Sequence, residues 1–72
     1  MKKIEFKIKE NVPYIFTCTG STPDTVFTLI DPSPDSTNVT ITFTNYKGIK
    51  KTYLYKRKTY IEAIKKGYWE VI

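Results

Sequence analysis

A chain of 72 residues with one cysteine and no histidine is expected to form one small domain, residues 1–72. It can have no intrachain disulfide and lacks the clustered thiolates and imidazoles of a structural zinc site. Twelve basic and seven acidic side chains leave a net charge of +5, which favours anionic partners, and a lone thiol fits a reducing, cytoplasmic setting better than secretion. Domains of this size commonly gain stability from staples or self-association, so a homo-oligomer stays open on size alone.

The opening stretch MKKIEFKIKE alternates Ile4, Phe6 and Ile8 with charged residues, the period of two that a half-buried strand requires. Charge at every second position breaks any continuous apolar run, so neither a signal peptide nor a membrane anchor is read there. Beyond Pro13, Tyr14, Phe16 and Cys18 alternate with Ile15, Thr17 and Thr19 up to Gly20, which predicts a second strand. The segment 25–30, TVFTLI, is rich in β-branched and aromatic residues and reads as a third strand.

Two prolines and small polar residues make 31–38, DPSPDSTN, a surface loop. Asp31, Ser33 and Asp35 imitate the first ligands of a calcium loop, but Ser36 replaces the needed glycine and Thr42 stands where the closing glutamate belongs, which argues against a metal. Val39, Ile41 and Phe43 then alternate with Thr40, Thr42 and Thr44, the clearest half-buried strand in the chain.

That strand runs into a turn at 45–48, NYKG. Asn45 and Gly48 suit a three-residue hairpin loop in which Gly48 takes positive φ. The resulting register pairs Phe43 with Lys51, Ile41 with Tyr53 and Val39 with Tyr55, turning both tyrosines inward and Leu54 outward. A register shifted by one residue would instead expose Tyr53 and Tyr55 among cations and bury Leu54. In the tail, Thr59 and Glu62 match a capping box and Gly67 a left-handed cap, predicting a helix of about two turns with Ile61 and Ile64 on its apolar face. Lys65 and Lys66 offset the negative end of its dipole, and 68–72 form a closing strand that brings Trp69 or Val71 to the core.

These elements predict a mainly β protein, a small SH3-like antiparallel barrel of five or six strands with one short helix before the last strand. From Val26 to Ile72 the succession of VTITF, a hairpin, TYIEAIKKG and a terminal YWEVI resembles small phage and prophage accessory proteins that end in a Gly-x-Trp strand. The resemblance implies a non-enzymatic protein in a host cytoplasm, of a kind that includes binders of host nucleases, nucleic acids or signalling nucleotides that blunt bacterial defence. It transfers no individual functional residue.

Catalysis lacks its usual parts. There is no histidine to serve as base and no glycine-rich phosphate loop, and Cys18 shares a face with Phe16, so an enzyme is not expected and no cofactor is implied. Lys47, Lys50, Lys51, Lys56, Arg57 and Lys58 cluster around one hairpin and are the candidate residues for an anionic ligand, nucleic acid or nucleotide, with Tyr46 and Tyr60 as candidate aromatic contacts. The competing reading is a protein-interaction module that inhibits a host protein or assembles with itself, its lysines serving solubility and the protection of a sheet edge.

Overall fold

The alternation at Ile4, Phe6 and Ile8 becomes β1 (Lys2–Ile8) in the computed structural model, which describes residues 1–72. It pairs antiparallel with β2 (Phe27–Asp31), setting Phe6 opposite Phe27 and Ile4 opposite Leu29. Next comes β3 (Asn38–Thr44), with Ile41 opposite Leu29, and then β4 (Lys50–Lys56). A helix, α1 (Arg57–Lys65), follows β4 without a linker and leads to β5 (Trp69–Val71), which pairs with the free side of β1. The order across the sheet is β4-β3-β2-β1-β5. No helix is long and apolar enough to cross a membrane.

The hairpin forms in the register read from its turn. Phe43 faces Lys51, Ile41 faces Tyr53, Val39 faces Tyr55, and Gly48 has φ of 80°. Asn45 holds the loop through its side-chain oxygen, which accepts from the Lys47 and Ile49 amides at 2.9 and 3.0 Å. The inner face of the sheet therefore carries at least one aromatic ring from every strand, and two from β4. Trp69 stacks on Phe6 at 4.5 Å, Phe6 on Phe27 at 5.2 Å, Phe27 meets Phe43 at 4.8 Å and Phe43 meets Tyr53 at 5.8 Å. Burying such an arc of large rings in a short chain requires the sheet to curl around it. The curl brings the edge strands close enough for Tyr55 of β4 to meet Trp69 of β5 edge-on at 5.7 Å.

A mainly β protein with a helix before its last strand is what forms, but the five-stranded sheet stays open, with β4 and β5 as its two edges. The gap between those edges is bridged by the segment expected to be a second strand. Tyr14–Phe16 is a single 3-10 turn, with Phe16 and Cys18 buried and Tyr14 and Ile15 exposed. It cannot pair with β1, which already lies between β2 and β5, and it crosses the gap between the two edge strands without joining either ladder. Its carbonyls satisfy side chains instead: Phe16 O accepts from Trp69 Nε1 at 2.8 Å and Thr17 O from the Tyr55 hydroxyl at 3.2 Å.

The helix also departs from its expected start. It begins at Arg57, two residues before Thr59, and no side chain caps it. The Arg57 amide donates to the Thr37 carbonyl at 2.8 Å, so a tertiary contact replaces the local capping box, and Glu62 turns instead to Lys66 at 3.0 Å. With that start, Tyr60 and Ala63 face the core, Ile64 packs against it, and Ile61 is left half exposed. The C-terminus closes as expected: Gly67, at φ 77°, donates to Ile64 O and Tyr68 to Ala63 O, the two bonds of a Schellman motif.

Candidate nucleic-acid interface

Alternation along β4 sends its basic side chains to different faces. Lys50 and Lys56 point outward with Thr52 and Leu54, opposite Thr44 and Asn38 of β3, and Thr42 and Thr52 lie side by side, hydroxyl to hydroxyl at 3.4 Å. Lys51 falls on the inner-face parity opposite Phe43, yet it is exposed because β4 is the edge strand. Lys47 sits at the hairpin tip with its Nζ 5.7 Å from the ring centre of the exposed Tyr46. Lys58 lies in the first turn of α1 and is exposed.

Two of the residues predicted to meet a ligand are committed elsewhere. Arg57 directs both terminal amino groups at the Asp31 carboxylate, one of them also at the Ser33 carbonyl, and its Nε donates to Ser36 O at 2.6 Å. Every donor nitrogen of its fork has a protein acceptor, so it is a structural cation and not a ligand-binding one. Tyr60 is buried, and its hydroxyl donates to Asp31 at 3.3 Å, which removes it from the aromatic contacts. The same pairing occupies Asp31, the first of the residues that imitate a calcium loop.

The charges in this lock reinforce one another. The Arg57 guanidinium holds the Asp31 carboxyl below the usual carboxylate range, and Asp31 in turn raises Arg57. Burial, followed by the neighbouring Asp31, pushes the Tyr60 phenol up. The Cys18 thiol is likewise pushed up by burial, although its contact with the Tyr55 hydroxyl at 3.1 Å acts the other way, so the chain's one thiol is not held as a thiolate.

The remaining cations form two groups at opposite ends of β4, roughly 20 Å apart at the usual rise of a seven-residue strand. Lys47, Lys50 and Lys51 share the hairpin end with Tyr46. At the other end, Lys56 and Lys58 join Lys65 and Lys66 around a groove between α1 and the 34–37 segment, which also holds Asp35 and Glu62, the latter paired with Lys66. Sequence reasoning gave Lys65 and Lys66 only a dipole role. The missed signal is the seven-residue spacing of Lys58 and Lys65, two turns apart on one helix face, which becomes visible only once the helix is known to start at Arg57.

Charge is the chemistry this surface offers. Only three ion pairs form in the molecule, Lys9–Glu70, Arg57–Asp31 and Lys66–Glu62. Lys47, Lys50, Lys51, Lys56, Lys58 and Lys65 have no carboxylate oxygen within 4.0 Å. The N-terminal end of the α1 dipole adds positive potential beside Lys56 and Lys58. Comparison with protein-family models, with curated proteins and with solved structures returned no match to this chain.

Proposed function

We propose that the protein is a non-catalytic binding domain that docks nucleic acid through the lysines of β4 and α1. The observation that carries this reading is the exposed, unpaired state of Lys47, Lys50, Lys51, Lys56 and Lys58 on one continuous stretch of chain. Cations spread along about 20 Å suit the repeating phosphates of a polymer better than the clustered phosphates of one nucleotide. Lysines beside threonine hydroxyls contact phosphate and sugar without reading bases, so binding is expected to be independent of sequence. The rings of Tyr53 and Tyr55 are engaged with Phe43 and Trp69, which leaves Tyr46 as the one aromatic at this surface free to stack. Such a role fits the phage accessory proteins that the chain resembles, whose targets include nucleic acids.

The test is a salt titration with dye-labelled single- and double-stranded oligonucleotides. Binding should weaken steeply with salt, and replacing Lys50, Lys56 and Lys58 together by Gln should flatten the log–log slope by roughly 2 to 3 while leaving the melting temperature near that of the wild type. Absence of binding at low salt would overturn the proposal.

A further inference from the structure

Next to the basic groove along α1, and sharing Ile61 and Lys65 with it, a second groove is mostly apolar. It is lined by Ile4, Ile61, Ile64 and Val71, with Tyr60 behind them and Lys2 and Lys65 on the rim. Ile61 is exposed where a core position was expected, and Val71 is exposed while Trp69 takes the core place of β5. Ile61 keeps 50 % of its surface in water because the helix start turns Tyr60, Ala63 and Ile64 inward, and Val71 keeps 50 % although it lies opposite Phe6 in the sheet. Scattered apolar residues on a surface need no account, but four converging on one concavity do.

We infer that this groove receives a peptide segment of a partner protein that inserts apolar side chains and flanks them with carboxylates. The choice of occupant follows from charge. Lys2 and Lys65 both line the groove and have no carboxylate within 4.0 Å, so an acidic segment gains a partner for each. A second copy of the chain does not fit, because pairing the groove with itself would bring the unpaired Lys2 and Lys65 cations of two molecules, each of net charge +5, into one interface with no carboxylate lining it. A bilayer does not fit either, because the apolar residues line a concavity and do not project from the surface. Ile61 and Lys65 line both grooves, whereas Lys2, Ile4, Ile64 and Val71 line only this one. A peptide seated here must therefore also respond to Lys2→Gln and Val71→Thr made singly, changes that leave the basic groove intact.

The experiment is selection of a random displayed peptide library against the immobilised full chain, followed by affinity measurements with the enriched peptides in synthetic form. Enriched peptides should carry leucine- or phenylalanine-type residues flanked by Asp or Glu. Their binding should fall about tenfold in the Ile61→Gln/Val71→Thr double variant, which keeps helix and strand preferences at half-exposed positions. It should fall about fivefold in the Lys2→Gln/Lys65→Gln variant, whose changes are at exposed sites, and stay unchanged in Lys50→Gln. Failure to enrich any peptide, or enrichment of peptides indifferent to both double variants, overturns the inference. So does sedimentation showing a dimer, or capture by anionic phospholipid vesicles, that Ile61→Gln/Val71→Thr abolishes. Loss of oligonucleotide binding with peptide binding retained would overturn only the nucleic-acid reading.

Discussion

Arg57, the first residue of α1, grips Asp31, the last residue of β2, through both amino groups of its guanidinium, across 26 positions of sequence. The same side chain holds the Ser33 and Ser36 carbonyls, so one fork fastens the 32–37 loop to the start of the helix. Arg57→Lys cannot reproduce that planar, multiply bonded geometry, and Arg57→Leu leaves the Asp31 carboxylate without its partner. Both should lower the melting temperature measured by circular dichroism, Arg57→Leu more. Lys56→Ala and Lys58→Ala, which remove exposed unpaired cations, should barely move it. A surface ligand-binding role for Arg57 would predict the reverse, lost affinity with stability retained.

The same pair sets the response to acid. The folded-state pKa of Asp31 lies below its unfolded value near 3.9, so its contribution is fully present above that value and is lost as pH falls through the depressed folded pKa. Thermal melts from pH 6 down to pH 2 should show stability declining below about pH 4. Asp31→Asn should be less stable at neutral pH and should flatten that decline. On the alkaline side the direction is opposite. Tyr55 and Tyr60 are both raised, chiefly by burial, so their contribution is complete below the ordinary tyrosine pKa near 10 and is lost at higher pH.

Tyr53 and Tyr55 face the same side of β4 but differ in what they hold. Tyr55 packs on Trp69, donates to Thr17 O at 3.2 Å and touches the Cys18 sulfur, whereas Tyr53 rests on Phe43 with its surface 36 % exposed. Tyr55→Phe should cost about 1 kcal/mol for the lost hydroxyl bond, while Tyr53→Phe should be close to neutral in denaturant unfolding. Tyr55→Ala should cost about 3 kcal/mol, and Tyr53→Ala about 1 kcal/mol for a ring stacked at the rim. Equal losses from the two alanine variants would show that the edges do not meet through Tyr55 and Trp69.

Gly48 separates backbone strain from packing. Its φ is 80°, and a Cβ built there meets nothing within 4 Å. Gly48→Ala should therefore destabilise by about 1 to 2 kcal/mol through the left-handed backbone alone, and Gly48→Asn by less, as read from urea midpoints. A neutral Gly48→Ala would mean that the hairpin does not use the bulged three-residue loop.

Much of this fold was legible because its signals are local. The period of two along 2–8, 39–44 and 50–56, the positive φ required at Gly48, and the glycine cap at 67 each act within a few residues, and each appears in place, including the register that turns Tyr53 and Tyr55 inward. The segment around Tyr14 alternates just as regularly, yet it forms a 3-10 turn whose carbonyls are taken by the Tyr55 and Trp69 side chains of the two edge strands and not by a ladder. Local pattern cannot report which distant groups will take up a segment's backbone bonds.

The candidate site divides along the same line. Sequence alone placed a row of basic residues on β4 and at the entry to α1; strand alternation turns Lys50 and Lys56 outward, while Lys51 is exposed because β4 is an edge strand. That Arg57 is withdrawn from that row, Tyr60 buried, Lys65 recruited to the groove and Ile61 left at the surface was decided by the contacts of Arg57 with Asp31 and Thr37, which start the helix, and by the curl of the sheet. The curl is set by the Trp69, Phe6, Phe27, Phe43 and Tyr53 rings packing in succession, and by a bond between Trp69 and Phe16, 53 positions apart. Alternation and turn chemistry specify which way each side chain points along its own strand. Only the packing of all five strands around one aromatic arc determines which distant residue it meets.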